Sequence, residues 1–294
     1  MFSTDQIFQR YQQVRARMPQ AVTTAGMVDI GDLTQIADQA DAFVFDAFGV
    51  LNVGETPIPG ASDRLDQLRN LGCQIRILTN AASYDRAGAV AKFKRLGMQV
   101  LADEIITSRD ATLNALTPGR WGVIAASGDT LSDLNVEVAR LTDDASDYDA
   151  VDGFVFLSAA EWTSERQALL ASSLAHHDRP VLIANADLAA PRDDGFSHEP
   201  GFFGHLLIDG GAGAVRFFGK PFAEVYDLTE ATLPGIAPDR IVMCGDTLHT
   251  DIMGAAARGW RTVLVTQDGL FAGHDTESYC AQAGLFPDWR LARI

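Results

Sequence analysis

The chain has 294 residues, of which 47% are hydrophobic and 21% charged. That composition excludes a mostly disordered or fibrous protein and, at about 150 residues per domain, points to two domains. Asp and Glu number 39 against 23 Lys and Arg, for a formal charge of −16 without a long basic run, so neither nucleic acid nor an anionic membrane surface is expected as the main partner. A phosphate-bearing ligand stays compatible with this charge, because it needs only a local positive site.

Residues 4–18 read as a helix with Ile7, Tyr11 and Val14 on one face. A short helical stretch, 31–40, leads into the strand DAFVFDAFGVL, whose apolar run Phe43–Phe45 stops at Asp46. The turn-rich GETPIPG (54–60) precedes a helix over 61–71, the strand QIRILTN (74–80) and a helix over 83–97 closed by Gly97. Then come the strand-like EIITS (104–108), a helix over 109–116 and the strand WGVIAAS (121–127). The acidic stretch 143–152 lacks the central Gly and terminal Glu of a calcium loop and is expected as a solvated loop. GFVFLS (153–158) is a strand, and 165–177 is a helix whose His176 and His177 form a solvated end. VLIANAD (181–187) is a further strand. PRDDGFSHEPG (191–201) is a loop by composition. A helix over 202–210, the strand AVRFFG (214–219), a helix over 221–233 and the strands IVMCGD (241–246) and TVLVTQ (262–267) complete the pattern, with a helix between the last two. Strands alternating with helices in this way predict an α/β fold with a parallel sheet.

Cys73, Cys244 and Cys280 are far apart and show no metal-ligand spacing. The N-terminus lacks a signal-peptide apolar segment, and no apolar run reaches transmembrane length. A cytoplasmic protein with reduced thiols is the expectation.

Four strand ends share one feature: an apolar run stops at a polar residue and hands over to a loop. They are Asp46 (FVFDAFGVL), Thr79 (IRILTNA), Lys220 (VRFFGKP) and Asp246 (IVMCGDTLHTD). Open parallel sheets bind ligands at the carboxyl ends of their strands. Taken in order, with LTN (78–80), EIITS (104–108), ANAD (184–187), GKP (219–221) and GDTLHTDI (245–252), the set resembles the haloacid dehalogenase (HAD) superfamily. The long insertion between Thr79 and Lys220 is similar to the class IIA branch, which holds NagD-like and 4-nitrophenylphosphatase-like proteins. The resemblance implies a doubly wound parallel-sheet, Rossmann-like core from residues 1–82 and 200–294. It implies an inserted α/β cap from residues 83–199, and a homodimer through the cap is an assembly it allows.

The resemblance further implies a phosphatase acting on a small phosphorylated metabolite with Mg²⁺. Asp46 would be the nucleophile, Thr79 would bond a phosphate oxygen, and Lys220 would offset the gathered charge. Asp46, Asp246 and the Phe48 backbone carbonyl would hold Mg²⁺, with Asp251 holding metal waters or Lys220. Asn80 would contact the phosphate or the nucleophile loop. In the cap, Arg192 is the candidate substrate cation, and Asp187 the residue that could instead pin its loop. A second GDT, at 128–130, is followed by Asp133 at a spacing of four rather than five and is expected as a helix start over 128–134.

One departure matters. Phosphatases of this superfamily read Asp-x-Asp at the first motif, and here it is Asp46-Ala47-Phe48. The missing carboxylate would protonate the leaving oxygen and then activate water, roles worth about 10²–10⁴-fold. Three readings therefore stand at this point: a slow phosphatase, a non-catalytic phosphate-ligand protein, and dehalogenase-like chemistry. The last sits poorly with the Lys220 and Asp246/Asp251 set.

Overall fold

The computed structural model describes residues 3–23, 26–192 and 195–294. Seven parallel strands form the larger sheet, in the order Val28–Asp29, Trp289–Leu291, Arg261–Val265, Ile241–Gly245, Ala42–Phe45, Gln74–Thr79 and Ile105–Thr107. Ala42–Phe45 is apolar at every position because it is covered on both faces. Phe43 and Phe45 enter one apolar cluster, with Ile75, Ile77 and Val242. Ala42 and Val44 enter another, with Leu78 and Met243. This is the period-two alternation of a strand inside a doubly covered sheet.

A second parallel sheet has five strands, in the order Val215–Phe217, Val181–Ile183, Gly153–Phe156, Arg120–Ile124 and Glu137–Arg140. Val123, Val155 and Leu182 share the cluster of Val44 and Leu78, so one apolar layer joins the two sheets. Phe154, Phe156 and Ile183 fill the opposite face. The α/β architecture expected from the sequence, a doubly wound core with further α/β elements, is what the chain adopts.

Sheet membership does not follow the expected divisions at 83 and 199. The helix Arg86–Arg95 and the strand Ile105–Thr107 complete a crossover beside Gln74–Thr79, burying Ala89, Phe93, Leu96 and Ile105 in the core of the larger sheet. At the other end Val215–Phe217 pairs with Val181–Ile183, placing it in the five-stranded sheet. In both cases a short strand–helix–strand unit stays with the sheet it started in, since such a crossover packs back on its own sheet.

Other expectations are also corrected. Residues 191–201 are not a plain loop: Ala189–Arg192 and Gly195–His198 form an antiparallel hairpin, and Asp193 and Asp194 between them lie outside the described residues. The acidic stretch contains a short helix, Ala145–Asp149, whose first turn Asp144 caps by accepting from Ser146 N at 2.9 Å. Its Tyr148 is buried, and Asp149 accepts from Ser173 Oγ at 2.6 Å. Residues 128–134 are a turn, with Leu131 at φ +57°.

The N-terminal helix, Thr4–Val14, opens with a reciprocal cap between Ser3 and Gln6. It buries Ile7, Phe8, Tyr11 and Val14 against Leu248, Ile252, Phe271 and Leu285 of the larger sheet's covering layer. It also reaches the other side: Tyr11 Oη accepts from Leu188 N at 3.1 Å, and Arg10 and Arg17 both pair with Asp209. Among the described residues no helix is long and apolar enough to cross a membrane.

Candidate active site

The carboxyl ends of Ala42–Phe45, Gln74–Thr79 and Ile241–Gly245 are neighbours in one sheet, so Asp46, Thr79 and Asp246 emerge side by side. Lys220 arrives from the loop after Val215–Phe217. Its Nζ lies 2.7 Å from Asp46 Oδ1 and 2.6 Å from Asp251 Oδ1, and it is 1% exposed. Asp46 Oδ1 also accepts from Ala47 N at 2.7 Å. Two donors thus fix one carboxylate oxygen, and Oδ2 has no hydrogen bond among the described residues.

Asp246 is held by Leu270 N on Oδ2 (2.7 Å) and by Thr247 Oγ1 on Oδ1 (3.1 Å). Thr247 N donates to Asp251 Oδ2 at 3.0 Å. Two glycines leave room for Asp246. A Cβ on Gly269 would meet its Oδ2 at 2.2 Å, and one on Gly49 (φ +77°) would meet the same oxygen at 2.7 Å. Any other residue at either position would push into the carboxylate.

Oxygen atoms of Asp46, Asp246 and Asp251 lie within 4.8 Å of one another, and Lys220 is the cation that touches two of them. Burial, and then Asp251 and Asp46, push the Asp246 carboxyl up to about 8. Burial pushes Asp46 up to about 6 against the pull of Lys220. Burial also works against the Lys220 ammonium, yet Asp251 and Asp46 outweigh it and hold its pKa above the ordinary lysine value. A buried, oxygen-only donor set with excess negative charge fits a small hard divalent cation such as Mg²⁺.

Asn80 (1% exposed) commits its amide inside the protein. Its Oδ1 accepts from Lys220 N at 2.7 Å, and its Nδ2 donates to Lys220 O at 2.9 Å and to Asp187 Oδ1 at 2.8 Å. It clamps the Lys220 backbone rather than facing a ligand. Asp187 in turn ties the base of the 189–198 hairpin to the larger sheet. Thr79, 4% exposed, accepts from Ala81 N at 3.1 Å.

A cavity of about 710 Å³ is lined among others by Phe48, Tyr84, Lys92, Asp187 and Arg192, a size suited to a small metabolite; it adjoins the cluster through Phe48, two residues after Asp46, and through Asp187, the partner of Asn80. Arg192 reaches it from the hairpin, with Nε on Ser197 Oγ (2.8 Å), Nη2 on Glu199 Oε1 (2.8 Å) and Cζ 5.1 Å from the centre of the Phe48 ring. Lys92 Nζ stands 4.1 Å from the same ring centre. The sequence reading missed Lys92, although it shares a helical stripe with Ala89 and Leu96, an unusual place for a lysine. It also missed Gly49 and Gly269, which no apolar periodicity reveals. The second GDT is structural: Asp129 and Asp133 both bind the buried Arg109.

A model described as haloacid dehalogenase-like hydrolase matches residues 43–133, and a second, HAD-hydrolase-like model matches 217–288. Human chronophin is 28% identical over 281 residues, covering 89% of this chain and 93% of its own. The 4-nitrophenylphosphatase of Schizosaccharomyces pombe is 26% identical, covering 88% and 94%. The structure of a possible sugar phosphatase from Cytophaga hutchinsonii superposes with a TM-score of 0.79 at 23% identity, over 91% of this chain and 98% of that one, and shows the same fold. Both motif-bearing segments match the same group, and the relatives run nearly end to end. The chain therefore belongs to the haloacid dehalogenase superfamily, as a relative of the chronophin, 4-nitrophenylphosphatase and NagD-like proteins.

Proposed function

We propose that this protein is a Mg²⁺-dependent phosphatase that removes the phosphoryl group of a small metabolite through a phosphoaspartate on Asp46. The observation that carries the reading is the fixed Asp46 carboxylate, with Oδ1 tied to Lys220 and Ala47 N and Oδ2 left for attack. Asp46 forms a bond to phosphorus as the ester P–O bond breaks. Thr79 donates to a phosphoryl oxygen, and Lys220, positioned by Asn80 and Asp251, offsets the negative charge. Asp46, the Phe48 carbonyl and Asp246 would hold the cation, which would supply electrostatic neutralisation of phosphoryl oxygens. The departing oxygen takes its proton from water, because Phe48 has none to give, and a second water releases phosphate from Asp46. Turnover is therefore slow and favours good leaving groups.

Phe48 itself supports one other reading, a phosphate-ligand protein without turnover. Phosphate release from a panel of aryl, acyl and alkyl phosphates, with and without Mg²⁺, separates the two. Mg²⁺-dependent release that is fastest for aryl and acyl phosphates is expected. Binding of phosphate compounds with no release from any of them rejects the phosphatase.

A further inference from the structure

We propose that Lys92 and Arg192, gathered on the Phe48 ring, bind a second anionic group of the substrate, so that the cavity selects small phosphate esters carrying a distal carboxylate or phosphate. The inference rests on the phosphatase reading and names its substrate class.

Lys92 comes from the helix Arg86–Arg95 and is 4% exposed. Lysines are seldom so buried unless paired. The carboxylate that pairs with it is Glu55, at 3.6 Å, longer than a hydrogen bond, and the Glu55 side chain is 61% exposed and screened by water. Its other support is aromatic: the Phe48 ring centre at 4.1 Å and that of Tyr84 at 5.9 Å. The ammonium borders the 710 Å³ cavity. Burial, with Arg192 as a further positive neighbour, pulls its pKa below the ordinary lysine value despite Glu55. An anion entering the cavity would relieve both the desolvation and this repulsion.

The remaining acids on the cavity wall are committed elsewhere. Asp129 is held by Arg109, Asp187 by Asn80, and Glu199 by Ser197, Asn185 and one edge of Arg192. Lys220 is engaged with Asp46 and Asp251, so the phosphoryl group does not need the Phe48 pair. Phe48 follows Asp46 by two residues, so its ring leaves the chain on the nucleophile's own loop and short esters are the probes to use. The aromatic ring at this position then has a purpose. It gives two cations a common ring, where a carboxylate would have neutralised them.

Three esters that differ only at the far end test this: propyl phosphate, 3-phosphonooxypropanoate and propane-1,3-diyl bisphosphate. With Mg²⁺, the wild type should show a kcat/KM at least tenfold higher for one or both distal anions, carried by KM. The carboxylate and phosphate arms tell the two sources apart. Lys92→Met should remove about tenfold to a hundredfold of that preference, the usual worth of a hydrogen bond to a charged group. Arg192→Gln, at a side chain that is 38% exposed and so spares the core, should weaken the same preference. Equal kcat/KM for all three esters in the wild type, or equal losses on all three in both variants, overturns the proposal. If the wild type hydrolyses none of these alkyl esters, Mg²⁺-dependent release from 4-nitrophenyl phosphate decides the phosphatase reading, and calorimetric Kd values for the three esters decide the inference separately. Tighter binding of a distal anion that Lys92→Met abolishes upholds it, and equal Kd values reject it.

Discussion

Arg109 should be among the costliest side chains to remove outside the catalytic cluster. It sits on the helix Ser108–Leu113, 1% exposed, and all five of its N–H groups are used. Nε and Nη2 grip Asp133 at 2.7 and 2.6 Å. Nη1 and Nη2 grip Asp129 at 2.5 and 3.2 Å, and Nη1 also reaches Ala82 O at 3.0 Å. The two acids are not equivalent: the Asp129 side chain is 4% exposed and that of Asp133 28%. Arg109→Met therefore strands a buried carboxylate at Asp129, while Asp133 can hydrate. Breaking one side of a buried pair costs about 3–5 kcal/mol, which for a chain of this length corresponds to a fall in Tm of roughly 5–8 °C. Adding Asp129→Asn and Asp133→Asn to Arg109→Met removes the stranded charges and should restore at least half of the loss. Thermal and urea unfolding of the wild type, the single variant and the triple variant measure this. A loss below about 1 kcal/mol in the single variant, or a triple variant less stable than the single, refutes the reasoning, because the clasp would then be a surface pair of little worth.

Three further outcomes are expected. Asp246→Ala should abolish the rise in Tm that Mg²⁺ gives the wild type, a linkage worth about 2.7 kcal/mol at a hundred times Kd; an unchanged Mg²⁺ response in the variant removes Asp246 from the metal site. Phe48→Asp, once shown to fold and to bind Mg²⁺, should raise hydrolysis of alkyl phosphates more than that of 4-nitrophenyl phosphate, by about tenfold to a thousandfold; no gain anywhere in the leaving-group series removes the missing acid as the limit. His205 is fully buried, and burial followed by Arg17 and Arg10 pushes its pKa down to about 3. The neutral ring's contribution to stability is thus complete above about pH 6.5 and is lost as pH falls toward 3, by up to about 1.4 kcal/mol per unit. His205→Phe should flatten urea midpoints measured between pH 7 and pH 4.5; a slope as steep as that of the wild type assigns the acid sensitivity to other groups.

The elements that position Asp46 and Asp246 were legible because each follows a strand buried at every position, which reads as an unbroken apolar run ended by a polar residue, and Thr79 closes a strand whose apolar run Arg76 interrupts. The elements that were missed lack that mark. Glu137–Arg140 is an edge strand exposed at three of its four positions. Val28–Asp29 is two exposed residues at the far edge. The 189–198 hairpin is rich in residues that score as loop, and its position is set by Asn185 and Asp187 beneath it. Residues 128–134 looked like a helix start because Asp is a common N-cap. Their carboxylates are instead spent on Arg109, a partner that no local pattern announces. Lys92 was passed over because a charged residue is read as solvated by default, and only the neighbouring Phe48 and Tyr84 rings show otherwise.

The N-terminal helix has a bearing on the order in which the chain can fold. Thr4 Oγ1 donates to Leu270 O at 2.9 Å, and the apolar face of the helix rests on residues between 248 and 285. The Asp46 strand is likewise flanked by Ile241–Gly245. At about 5–20 residues per second, the segments that cover both leave the ribosome roughly 10–50 s after the first helix. During that interval an amphipathic helix and one edge of the nucleophile's strand lack their native cover. These long-range pairings carry a large loop-closure cost, which makes assembly of the catalytic cluster a late event. A ribosome-bound chain halted before residue 240 should therefore leave residues 4–14 open to protease, whereas the same segment in the finished protein should resist.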